Sequence, residues 1–163
     1  MKITAQEEYG LRILIRIARN DQGMSIPQLS ESEGLSEHYV AKLTRVLRLA
    51  GFVNSTPGYK GGYVLAMSAN KININKVLKA LGGPLFHNEF CGMHAGNLKL
   101  CTNSVECSAR SLWQMIQFSV DQLLDRVTLQ DLVNPDNNSR ESLKLILEEA
   151  NNITLPGGAT PVS

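Results

Sequence analysis

The chain has 163 residues, 43% of them hydrophobic, and a formal net charge of +1. That is enough for one domain with a modest extension, and its 6% aromatic content makes any core an aliphatic one. No apolar run approaches the roughly 18 residues that cross a membrane, and no hydrophobic leader follows Met1. The chain therefore reads as a soluble, cytoplasmic protein with no membrane partner. Its charge is unevenly spread: +2 over residues 1–66, +2 over 67–127 and −3 over 128–163. A mildly basic body with an acidic tail permits DNA binding without requiring it.

Thr4-Ala-Gln-Glu7 is a capping box and opens a helix to about Asn20. Tyr9, Ile13, Leu14, Ile17 and Ala18 form its buried stripe. Arg12, Arg16 and Arg19 repeat along another face, as a solvated stripe or as phosphate contacts. After the turn Asn20–Gly23, Ser25 caps a short helix from Ile26 to Glu33, with Pro27 in its first turn, and Gly34 stops it. Ser36 caps the next helix, to about Ala50, and Gly51 supplies the left-handed position beyond it. Two short helices joined by a glycine-containing turn are the signature of a helix-turn-helix. In the second helix Val40, Leu43, Leu47 and Ala50 face the core, and His38, Lys42 and Arg45 face solvent. A short capped helix with a basic outer face suits the DNA major groove, where N-terminal residues reach base edges. An antiparallel helix pair in a bundle would carry the same pattern.

The next stretch separates the two readings. Phe52–Ser55 and Tyr63–Ala66 alternate as strands around the glycine-rich link Thr56–Gly62, which puts Lys60 at a hairpin tip within reach of phosphate. A hairpin directly after a recognition helix is the order of a winged helix-turn-helix. Asn73 then caps a helix from Ile74 to Leu81 with Ile74, Val77, Leu78 and Leu81 as its apolar face, and Gly82-Gly83-Pro84 ends it. Ser108 to Val127 is the longest helical pattern and is apolar around well over half its circumference, which calls for two partners, one of them a second subunit. Thr128 to Val133 is a capped helical turn, residues 136–151 form a final short helix, and Thr154–Ser163 is a disordered tail.

Between the wing and the long helix lie all three cysteines, Cys91, Cys101 and Cys107, in a C-x9-C-x5-C spacing without helical or strand periodicity. Unstructured segments of that length inside compact domains are functional or disordered. Cys107 sits just before the long helix, where the positive end of the helix dipole suits a thiolate, the form that binds metal and iron–sulfur clusters. The spacing is too open for a zinc knuckle, there is no second C-x2-C pair, and buried structural thiols would look the same. No phosphate-binding G-x-x-x-x-G-K-[ST] loop, Ser-His-Asp set or paired carboxylates suggest an enzyme.

Ser25-Ile-Pro-Gln28-Leu, Gly34-Leu-Ser-Glu-His-Tyr-Val-Ala-Lys-Leu, Leu47-Arg-Leu-Ala-Gly51-Phe-Val and Gly58-Tyr-Lys-Gly61-Gly62-Tyr-Val-Leu, with the three-cysteine loop, resemble the Rrf-type bacterial regulators, the IscR, NsrR and RirA kind, from Met1 to about Val133. The resemblance implies a fold that is mainly α with a small β-hairpin wing. It divides the chain into a winged helix-turn-helix DNA-binding domain (1–83), a cluster-binding cysteine loop (84–107), a dimerisation helix (108–133) and a C-terminal extension (134–163). It implies a homodimer on a double-stranded DNA operator, a repressor by default, that senses iron, redox or nitric oxide status through an iron–sulfur cluster. Carried over residue by residue, the thiolate ligands are Cys91, Cys101 and Cys107. The DNA-contacting positions are Gln28, Ser36, His38, Tyr39, Ala41, Lys42 and Arg45, with Tyr59 and Lys60 in the wing.

The chain departs from the family pattern in three ways. The loop between the first two cysteines is longer than usual. Arg110 stands where two-iron relatives have a histidine ligand, which favours a four-iron cluster and leaves a two-iron one as the alternative. Pro57 precedes the wing glycine and Ala41 replaces a base-reading glutamate, which shifts the resemblance from IscR toward NsrR and RirA. Glu8 matches a carboxylate that some nitric-oxide-sensing relatives donate from the first helix of the other subunit, so it is the candidate fourth ligand, with Glu7 and His94 behind it. The alternatives are a winged-helix regulator without a cluster, using the cysteines as a thiol switch or binding an enzyme partner, and a metal-dependent enzyme on a helical scaffold.

Overall fold

The computed structural model describes residues 3–58, 61–84 and 107–133, together with Lys144 and Glu148. Three helices open the chain: α1 (Ala5–Ala18), α2 (Ile26–Glu33) and α3 (Glu37–Leu49). A hairpin of β1 (Val53–Ser55) and β2 (Tyr63–Leu65) follows, then a 3₁₀ turn (Ala69–Lys71) and α4 (Ile74–Gly82). After the undescribed cysteine segment come α5 (Ser108–Leu124) and the short α6 (Leu129–Val133).

The helix starts follow from local side-chain chemistry. Thr4 and Ser25 cap α1 and α2 with complete capping boxes whose returning partners are Glu7 and Gln28. Ser36 and Asn73 cap α3 and α4 by accepting from the N–H groups of Tyr39 and Lys76. Each cap satisfies a backbone donor that the first helical turn would otherwise leave unpaired. Gly34 ends α2 at φ 66°, a left-handed geometry that favours glycine and lets the chain turn at once into α3.

The core gathers Ile13, Leu14 and Ile17 of α1, Leu29 of α2, Val40, Leu43 and Leu47 of α3, Val53, Val77 and Leu81. Tyr9 and Ala18, expected in the α1 stripe, are half-buried at its margin. Ala50 was expected in the core and is exposed, because α3 ends at Leu49 and Ala50 turns outward as its C-cap. The antiparallel hairpin aligns Val53 with Leu65 and Ser55 with Tyr63. Met24 adds a bridge to the other edge of β2, exchanging backbone hydrogen bonds with Tyr63 at 2.8 and 3.0 Å, which fixes the wing against the start of the helix-turn-helix.

The long helix α5 runs from Ser108 to Leu124, a turn shorter than its apolar pattern, and Val127 turns back into the core. Its C-terminal end is fastened to the winged-helix body. Lys79 pairs with Asp121 at 2.8 Å, and Asn75 donates to Asp125 at 2.8 Å. Ile74 N–H donates to the Val127 carbonyl, and Leu129 N–H to that of Ile72. None of its residues is buried within the chain, and Leu112, Trp113, Met115 and Phe118 are each nearly half exposed. Among the described residues no helix is long and apolar enough to cross a membrane.

Candidate functional site

The helix-turn-helix presents one polar face. Ser36, His38, Lys42 and Arg45 are all exposed along α3, with Ser36 at its N-terminal end. The hydroxyl oxygen of Ser36 accepts from Tyr39 N–H at 3.3 Å, so its first task is structural. Tyr39 is half-buried, with its ring edge-on to Tyr9 at 6.2 Å between centroids. Gln28 is exposed at the start of α2, and its amide oxygen accepts from Ser25 N–H at 2.8 Å. The face therefore has two kinds of residue. His38, Lys42 and Arg45 project from the helix, whereas Gln28, Ser36 and Tyr39 also hold it in place.

The wing narrows to a tip that Gly58 and Gly61 close, with Gly61 N–H donating to the Gly58 carbonyl at 2.8 Å. A side chain at Gly61 would collide with the carbonyls of Thr56 and Gly58, so the turn requires glycine there. Tyr59 and Lys60, the expected wing contacts, lie outside the described residues.

The arginine stripe of α1 is neither a free solvated face nor a row of separate charges. Arg12 and Arg16 both grip Glu33, the last residue of α2, with Nε–Oε distances of 2.7 and 2.6 Å. Arg12 also lies over the Tyr9 ring, 5.5 Å from its centroid. Arg19 donates to the Val133 carbonyl at 3.2 Å, joining α1 to α6.

Of the expected cluster ligands, Cys107 and Glu8 are described, while Cys91, Cys101 and His94 lie outside the described residues. Cys107 is the N-cap of α5, half-buried, and its sulfur accepts from Arg110 N–H at 3.4 Å. Backbone N–H donation to sulfur is one of the contacts that surround cluster thiolates, so the Cys107 environment suits one such ligand, although among the described residues no three ligating side chains gather. Glu8 is exposed, with no side-chain partner among the described residues. Glu7 is the reserve ligand. It is buried, and its carboxylate accepts from Thr4 N–H at 2.8 Å and Thr4 Oγ1 at 2.7 Å. Glu7 is therefore committed to starting α1.

Glu8 lines an apolar cleft of about 350 Å³ between α1, α4 and the C-terminal half of α5, whose walls include Leu11, Leu78, Val120 and Leu124. It shares this cleft with Gln117 and Asp121, ten or more residues beyond Cys107. At a rise of ~1.5 Å per residue, those two residues lie roughly 15–20 Å along the helix from Cys107.

A family model described as an iron-dependent transcriptional regulator, Rrf2, matches residues 3–135. The chain belongs to the Rrf2 family. Among Rrf2-type relatives it is 32% identical over 144 residues to the HTH-type transcriptional regulator CymR of Bacillus subtilis, covering 87% of this chain and 96% of that one. It is 29% identical over 136 residues to the regulator IscR of Pectobacterium carotovorum, covering 82% and 80%. In structure it resembles CymR, the global cysteine regulator of B. subtilis, with a TM-score of 0.65 and 33% identity over 82% of this chain and 96% of that one. It resembles the IscR of T. potens equally, with a TM-score of 0.65 and 26% identity over 86% and 91%. The Rrf2 chain is thus a transcriptional regulator with a winged helix-turn-helix, mainly α with a β-hairpin wing.

Two features of this Rrf2 chain have no local signal in the sequence. The pairing of Arg12 and Arg16 with Glu33 spans 21 and 17 residues, and the bridge from Met24 to Tyr63 joins segments that no periodicity connects. The only hint of the first is an acidic residue one position before the α2 stop, opposite a basic stripe.

Proposed function

We propose that this Rrf2 regulator is a homodimeric, DNA-binding repressor whose operator affinity follows iron, redox or nitric oxide status through an iron–sulfur cluster on Cys91, Cys101 and Cys107. His38, Lys42 and Arg45 of α3, flanked by Gln28, Ser36 and Tyr39, are its major-groove residues, with Tyr59 and Lys60 on the wing. Glu8 is the fourth ligand, contributed across the dimer, because within one subunit the α5 residues that share its cleft, Gln117 and Asp121, lie ten or more residues beyond Cys107. When bound, the cluster supplies an iron centre open to oxidants and nitric oxide at its non-thiolate position.

The observation that carries the reading is Cys107 as N-cap of α5. A bond formed at its sulfur acts on the first turn of the helix without an intervening hinge. The opposite end of α5 is fastened to α4 through Lys79–Asp121. A change at Cys107 therefore reaches the winged-helix body through a stiff rod. Recognition helices in a dimer must match half-sites about one DNA turn apart, so a small change in their angle alters affinity.

The test is anaerobic purification followed by the visible spectrum and iron and acid-labile sulfide assays. A broad visible band with comparable iron and sulfide is expected, lost in Cys107→Ala and altered in Glu8→Ala. Protein that stays colourless after reconstitution rejects the cluster, and an unchanged spectrum in Glu8→Ala rejects that ligand. The likeness to CymR, a cysteine regulator, favours a second reading in that event, in which the three thiols form a redox switch or the regulator answers to an enzyme partner.

A further inference from the structure

We propose that Arg12 and Arg16 are DNA-backbone ligands and that Glu33 is the positioning residue that aims them. The inference rests on the DNA-binding reading and adds a contact surface from α1. The Glu33 side chain is 1% exposed, and its two oxygens are divided between two arginines, Oε2 to Arg12 Nε and Oε1 to Arg16 Nε. One guanidinium would neutralise one carboxylate. Two leave the group with a net positive charge, and both arginine side chains remain 45% exposed. A guanidinium has five N–H donors in a fixed fork, so bonding through Nε leaves its outer donors in the arrangement that recognises phosphate. A buried carboxylate that fixes both stems also removes much of the rotamer freedom that long side chains lose on binding.

The location agrees with this role. Glu33 lies three residues before Ser36, the N-cap of α3. Arg12 lies over Tyr9, and Tyr9 meets Tyr39 in the first turn of α3. The charged pair is thus in continuous contact with the helix end that enters a major groove, where the flanking phosphates run.

The experiment measures the salt dependence of binding by the full chain to a duplex that the protein itself has enriched from a random-sequence library. Each phosphate contact contributes about 0.9 to the slope of log affinity against log salt. Arg12→Gln and Arg16→Gln, each of which leaves Glu33 one partner, are expected to reduce the slope by about one and to weaken binding several-fold at fixed salt. Glu33→Gln is expected to reduce it too, although it removes no cation, while the exposed Lys76→Gln on α4 leaves it unchanged. Lowered melting temperature with an unchanged slope overturns the proposal and leaves a purely structural clamp. Should a glutamine variant fail to fold, phenylglyoxal modification of the wild type read by mass spectrometry decides: protection of Arg12 and Arg16 by the duplex is expected, and equal modification with and without it overturns the proposal. A wild type that enriches no duplex rejects the DNA-binding reading itself, an outcome distinct from these.

Discussion

Three glutamates near one another in the fold meet three fates, and the difference lies in what each carboxylate touches. Glu7 is buried and turned back onto Thr4, Glu8 one residue later is exposed beside a cleft, and Glu33 is enclosed by two arginines. The Glu33 group makes an asymmetric prediction. Arg12→Ala with Arg16→Ala leaves a buried carboxylate without a counter-charge and is expected to cost about 3–5 kcal/mol. Glu33→Ala leaves two guanidiniums that water can reach and is expected to cost about 1–2 kcal/mol. Urea denaturation measures both, and equal losses would mean that the carboxylate is hydrated in the folded protein.

At the scale of elements, α5 behaves as a rod held at one end. Its C-terminal half is tied to α4, while its N-terminal half carries exposed apolar side chains and the Cys107 cap. Asp121 reports on the tie. Partial burial alone would raise its carboxyl pKa, but hydrogen bonds from Lys79, Gln117 and Asn75, and the Lys79 charge, outweigh burial and hold it below the ordinary aspartate value. A carboxyl depressed in the folded state stabilises the fold above its unfolded pKa and loses that contribution as pH falls through the folded pKa. The gap in melting temperature between wild type and Asp121→Asn should therefore stay constant above the ordinary aspartate range and close as pH falls below it. A gap that persists unchanged into acid would show that Asp121 does not hold α5 through its charge.

For the whole molecule, the apolar side of α5 sets the expected assembly. Leu112, Trp113, Met115 and Phe118 stand nearly half exposed on one helix, and large apolar side chains grouped in this way mark an interaction site. A second copy of the chain is the occupant that the homodimer reading assigns. Trp113→Lys combined with Phe118→Lys should sediment as a monomer where the wild type sediments as a dimer. Trp113 is the only tryptophan, so its emission should shift to the red on dilution through dissociation. A wild type that is monomeric at tens of micromolar would remove the homodimer.

Local sequence was enough to place the helix starts and the order of elements that defines the winged helix. Caps, turns and strand alternation act over a few residues: Thr4 with Glu7, Ser25 with Gln28, the left-handed Gly34, and the strands on either side of Gly58–Gly61 can each be read without knowing what lies opposite. Periodicity also found the core faces of α1 and α3, apart from Tyr9 and Ala18 at the margin and Ala50 past the end of its helix, and it carried α5 on to Val127 beyond its end at Leu124. Which charges became partners depended on how one element packed against another. A basic stripe on α1 looks the same whether water, phosphate or a carboxylate faces it, and Glu33 comes opposite Arg12 and Arg16 only once α2 has packed against α1. The same reason separates Glu7 from Glu8. They are neighbours in sequence and both suit the first turn of a helix, but α4 covers one and leaves the other open.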